Sequence, residues 1–192
     1  MKKSNLIAAF VFTLSLFTSQ YITAQNSTMK EDTKMVGGAE MYPSKDIIDN
    51  AVNSKDHTTL VAAVKAADLV GVLKSKGPFT VFAPTNDAFS KLPDGTVDSL
   101  LMKENMASLQ NILKYHVVSG KWSAKDIMGM IKKGSGKAEI ETVSGGKLTT
   151  WIKNHNVYVT DENGNSAQVT IADVNQSNGV IHVIDTVLLP KS

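Results

Sequence analysis

The sequence predicts an α+β domain. Apolar residues recur at helical spacing through the first half of the chain, and β-rich runs bounded by turn signals fill the second half. One early apolar run, Phe79 to Ala83, reads as a strand that has to join the later ones. Helices first and strands later, in 192 residues, leave room for one domain of the usual size, roughly 150 residues. No self-similarity at the period of roughly 20 to 50 residues typical of repeat folds is visible.

In order along the chain, residues 25–42 are polar, mixed in charge and without clear period, which reads as a flexible leader. From Pro43 the pattern turns helical. Ser44 is placed to cap a short helix carrying Ile47, Ile48, Ala51 and Val52, and Thr58 or Thr59 to cap the next, with Leu60, Ala63, Val64 and Ala67 on one face. Asp68 begins a brief turn that ends at Gly77 and Pro78. Pro84 closes the early strand, and Thr85 stands as an N-cap ahead of Asn86 and Asp87, where the helix dipole favours negative charge. Asn105 opens the longest helix, with Leu109, Ile112, Leu113 and His116 at i, i+3, i+4 and i+7. A small helix follows from Ser123 to Ile131. Strands are then expected over 138–143, 147–152, 157–160, 167–174 and 180–189, with hairpin turns at Ser144-Gly145-Gly146 and around Asn163-Gly164. The last strand is almost continuously apolar, which places it in the centre with both faces covered.

The first 24 residues read as a cleavable secretory signal. Lys2 and Lys3 precede an apolar run from Leu6 to Phe17, and a short polar stretch ends at Ala24. The run is too short for a bilayer-spanning helix, which needs roughly 20 residues. Cleavage there removes two of the 20 lysines and no acid, leaving 18 lysines against 18 acidic residues and a formal charge of zero. The chain has no arginine, the residue best suited to grip phosphate, and no basic cluster, so nucleic acid is not expected as a partner. No cysteine is present, which excludes disulfides, thiolate metal sites and cysteine nucleophiles. The expected location is outside the cytoplasm, in the periplasm or the medium, with no stable membrane insertion after cleavage.

Motifs for hydrolase, zinc-protease or phosphate-loop chemistry are missing. Asp161-Glu162-Asn163-Gly164-Asn165 has the composition of a calcium loop but not its distal glutamate, and reads as a turn. Among the four histidines, His57 and His155 sit in polar contexts and are expected in solvent, while His116 and His182 lie among apolar residues. A buried pair invites a metal or catalytic role, but no third ligand accompanies them. Neutral core histidines bonded to backbone explain them as well. Ser123 and Asp126 form a variant capping box, which accounts for Asp126 structurally while leaving it open to a contact role. No cofactor, metal or catalytic residue is expected.

Three blocks then carry a resemblance. Thr80-Val81-Phe82-Ala83-Pro84-Thr85-Asn86-Asp87-Ala88-Phe89 resembles the first signature block of fasciclin domains. Val180-Ile181-His182-Val183-Ile184-Asp185-Thr186-Val187-Leu188-Leu189-Pro190 resembles the second, and Tyr115-His116-Val117-Val118 the tyrosine–histidine motif between them. The resemblance spans 43–190. It implies a twisted β-wedge with helices packed against it in a secreted protein, and the signal beginning Met1-Lys2-Lys3 with the single-domain form points to a bacterial member of the family. It also implies a non-enzymatic adhesion or surface-interaction module with a cell-surface or matrix protein or glycan as partner. Tyr115 and His116, with Asp126 and Ile127, match segments that animal members use in adhesion and are the candidate contact residues. That surface requires Ile127 to be partly exposed. Thr85, Asn86, Asp87, His182 and Asp185 are expected to be structural. The alternative function is a small-ligand or metal binder, or a weak enzyme, built on His116 or His182.

Overall fold

The computed structural model describes residues 32–191, so the expected signal segment and residues 25–31 lie outside it. The described chain opens with a hairpin, β1 (Lys34–Val36) and β2 (Ala39–Met41), turning at Gly37 and Gly38. This corrects the expectation of a flexible leader through residue 42. Val36 and Met41 are core residues, while Met35 faces solvent. Two strands of three residues are too short to display a period, and burial against the rest of the domain holds them.

Helix α1 (Ile47–Ala51) is capped by Asp46, whose carboxylate accepts the Asp49 N–H at 2.8 Å, and not by Ser44. Helix α2 (Thr58–Ala66) has no side-chain cap of its own. Thr58 and Thr59 both lie inside it. The amide of Asn86, 27 residues further on, instead accepts the Thr59 N–H at 3.0 Å. A single turn, α3 (Val70–Leu73), leads into β3 (Phe79–Pro84). Thr85 then caps α4 (Asn86–Ser90), accepting from Ala88 at 3.2 Å. After α5 (Thr96–Leu100) comes α6 (Met106–Tyr115), preceded by Asn105 without a side-chain cap bond. His116 is the C-cap of α6 and not its last helical residue. Strand β4 (Val117–Ser119) follows, then α7 (Ala124–Lys133), whose Ser123–Asp126 capping box is complete in both directions.

The chain finishes in strands: β5 (Lys137–Glu141), β6 (Lys147–Lys153), β7 (Asn156–Thr160), β8 (Ser166–Gln176) and β9 (Gly179–Ile184). Both expected hairpins are present. Gly145 takes φ +88°, and a side chain on Gly146 would stand 2.6 Å from the Tyr115 ring. The sheet order is β4-β3-β9-β8-β7-β6-β5, with β3 parallel to β9 and every other pairing antiparallel. Its ends approach one another, because the Val143 N–H donates to the Val117 carbonyl at 2.7 Å. The early strand thus pairs directly with the last one, which is central and buried at all six positions. That strand stops at Ile184, five residues short of expectation. The Asp185 carboxylate takes the Gln168 N–H at 2.8 Å, and Val187 and Leu188 stay buried outside the ladder.

Alternation along these strands builds two cores. Val81, Ala83, Val117, Ile181 and Val183 face the first, with α1, α2, α3 and α6 over them. Phe82, Val118 and Ile184 face the second, with Leu148, Val159, Ala167, and Ile127 and Ile131 of α7. No helix among the described residues is long and apolar enough to cross a membrane.

Candidate functional site

Tyr115 and His116 sit where α6 runs into β4, so their side chains leave the chain in different directions. Tyr115 is wholly buried in the second core. Its hydroxyl donates to the Lys147 carbonyl at 2.8 Å and accepts the Glu162 N–H at 3.1 Å. Burial pushes the phenol up to about 12. The tyrosine therefore ties the end of α6 to two β-turns.

His116 is equally dry. Its Nδ1–H donates to the Ile112 carbonyl at 2.9 Å, and Nε2 accepts the Leu188 N–H at 3.0 Å. This pattern requires the neutral ring. A proton on Nε2 would confront the Leu188 backbone donor in a buried site, and burial lowers the pKa to about 4. His182 has the opposite tautomer. Nε2–H donates to the Trp122 carbonyl at 2.8 Å, and Nδ1 accepts the Asp173 N–H at 3.2 Å. Asp173 lies in the bulge of β8 with φ +56°, and its carboxylate accepts the Ala124 N–H at the start of α7. Burial lowers this pKa as well. Each of these histidines fixes backbone that the sheet does not satisfy.

The candidate contact residues do not share a surface. Tyr115, His116 and Ile127 are core residues, with Ile127 only 1% exposed, so the condition placed on that surface is not met. At helical spacing Ile127 and Ile131 form one stripe, and that stripe faces β5 and β6. Asp126 alone is exposed. Its carboxylate accepts from the Ser123 N–H and hydroxyl, and these bonds hold its pKa below the ordinary value. Half-buried Trp122 and exposed Lys121 and Lys125 lie beside it in sequence.

The first signature block also makes local structure. Asn86 bridges α4 to α2, donating to the Lys55 carbonyl at 2.8 Å while capping Thr59, and Asp87 is exposed in the first turn of α4. Asp185 holds the Gln168 N–H and the Thr186 hydroxyl.

Two residues carry more than their sequence context suggested. Asp161, read as a turn residue, is buried and accepts four bonds, from the amides of Asn163, Asn165 and Leu189 and from the Asn165 side chain. An aspartate opening an Asn-Gly turn was the available signal. His57, expected in solvent, is 4% exposed. Its Nδ1 pairs with Ser54 Oγ at 2.8 Å, and burial lowers its pKa. Nothing in Lys55-Asp56-His57-Thr58 announces that burial, which comes from the packing of α2 on the sheet. Among the described residues no three His, Asp or Glu side chains converge as a metal site.

The Fasciclin domain family model matches residues 55–190. The chain belongs to the fasciclin domain family. This fasciclin domain is 44% identical to protein sll1483 of Synechocystis sp. over 192 residues, 99% of each chain. It is 38% identical to the immunogenic protein MPB70 of Mycobacterium bovis, over 74% of this chain and 67% of that one. Transforming growth factor-beta-induced protein ig-h3 of Sus scrofa is 36% identical over 78% of this chain, a match covering 20% of the larger protein. Among solved structures, a FAS1 domain pair from the insect cell adhesion molecule Fasciclin I superposes with a TM-score of 0.68 at 20% identity, over 77% of this chain and 52% of that one. That likeness establishes the shared fold.

Proposed function

We propose that this fasciclin domain is a secreted interaction module that acts by contact, binding a protein or glycan at a cell surface or in a matrix. The state of His116 and His182 supports this most directly. All four ring nitrogens are engaged with backbone groups, so neither residue holds a lone pair or proton ready for substrate or metal. The alternative based on these two histidines loses its chemical footing. The likeness to an insect cell adhesion molecule points the same way. Export follows from the charged, apolar and small-residue order of residues 1–24.

Asp126 is the one candidate contact residue whose side chain is exposed, which supports a contact at the first turn of α7, with exposed Lys125 beside it. The test is adhesion of the purified protein to host or sibling cells, with Asp126→Asn and Lys125→Glu compared against their melting temperatures. Lost adhesion at an unchanged melting temperature supports this face. Adhesion that falls only with stability makes Asp126 a cap and moves the contact elsewhere. Intact mass of the exported protein should begin near Gln25.

A further inference from the structure

The first core is not filled. Between α1, α2 and α3 on one side and β3 and β9 on the other runs a cleft of about 100 Å³. Leu60, Val64 and Leu69 wall it from the helices, and Val81 and Ile181 from the strands. It reaches solvent where Val72 and Val143, 50% and 43% exposed, contribute to its lining.

His57 lines the same cleft, and its Nε2 is the one buried side-chain polar atom among the described residues that lacks a hydrogen bond. The Ala83 backbone comes near the ring, yet Nε2 completes no bond with it. Leaving such an atom dry costs stability, and buried polar groups without partners are uncommon in folded proteins. Water alone is a poor remedy. It needs two to four polar partners, and the other buried polar groups in the lining, Ser54 Oγ and the His116 ring, are already bonded.

An oxygen carried on an apolar body answers both features. The hydrocarbon fills the cleft and the oxygen pairs with Nε2. A hydroxyl fits best, because it serves whichever tautomer the Ser54 bond selects, donating to a bare nitrogen or accepting from an N–H. The volume sets the size. It is about two-thirds of the 150 Å³ cavity that takes benzene, which limits the buried part to about four heavy atoms, the rest of a longer chain leaving by the opening at Val72 and Val143. We infer that the cleft binds a small apolar alcohol, with its chain between α2 and the sheet and its hydroxyl on His57 Nε2. This site is separate from the contact face on α7 and stands or falls independently of it.

The test uses the whole protein with two probes, 1-hexanol and n-hexane. Dissociation constants are measured by NMR titration for wild type and for His57→Phe, which keeps the ring's bulk and removes its nitrogens. Hexanol should bind wild type about three- to tenfold more tightly than the variant, the worth of one hydrogen bond, while hexane binds both alike. Equal hexanol affinity for the two proteins overturns the inference, as does no hexanol binding to wild type at its solubility limit. A second readout needs no variant. The ring ¹⁵N resonance of His57 Nε2 should move on hexanol addition and stay in place with hexane. An unmoved resonance overturns the inference even if His57→Phe fails to fold.

Discussion

The two faces of the sheet solve the same packing problem differently. On the second core, Tyr115 enters as the largest fully buried side chain, and its one polar atom is bonded twice. Leu148, Val159, Ala167, Ile184 and Leu188 close around it at zero exposure. On the first core, three helices of four to nine residues cross the sheet beside the ten-residue α6 and leave a cleft of about 100 Å³, with one histidine nitrogen unsatisfied. Short helices present few side chains each, so ridges and grooves cannot interlock along a long line. The comparison separates two uses of burial: one core fixes the fold, and the other keeps space.

Four substitutions would break or sharpen this contrast. The largest effect is expected for Tyr115→Ala, a loss of about 3–5 kcal/mol in chemical denaturation, since an aromatic leaves a close-packed site that cannot collapse. A loss under about 1 kcal/mol would show the second core to be as loose as the first.

Next is the pH response of His116. Its folded pKa is about 4 against an ordinary 6.5, so between those values the unfolded chain binds the proton and the folded one does not. Stability from this group is complete above pH 6.5 and is lost as pH falls toward 4. The difference between wild type and His116→Gln should shrink over that window by on the order of 3 kcal/mol, at about 1.4 kcal/mol per pH unit. A difference that stays flat from pH 7 to pH 4 would mean that the ring is not held neutral.

The smallest effect separates the faces most directly. Val159→Ile adds a methylene to the filled core and should cost about 1–3 kcal/mol. Val64→Ile adds the same group beside the cleft and should be neutral or gain up to about 0.8 kcal/mol. Equal costs at both positions would erase the distinction.

The fold was largely readable before the structure, because the signals were local. Asn163-Gly164 and Ser144-Gly145-Gly146 mark turns by their own chemistry, and Thr85 and Ser123 cap their helices as their neighbours demand. Most of the misreadings share one cause, a partner distant in sequence; Ser44 is the exception, displaced as cap by Asp46 only two residues on. Ser44, Thr58 and Thr59 looked like caps, but Asp46 and the remote Asn86 do the capping. The hairpin at 34–41 is ordered by a core that its own six strand residues cannot reveal. The candidate site fared worse. Tyr115 and Ile127 belong to helices whose buried side depends on which face of the sheet each one meets, and spacing alone left both readings open. His57 was missed because its neighbours in sequence are polar while its neighbours in space are not.

The bond from Val143 to Val117 has a consequence for how the domain associates. It brings the chain just beyond β5 onto β4, so the two edges of the sheet meet at that point. An exposed strand end is a template on which another chain can lay its own backbone, whatever its sequence. Here that template is occupied from within at the seam. Val143→Pro, which removes the donor from the seam, should therefore open a strand edge to self-association, seen as concentration-dependent oligomers in light scattering.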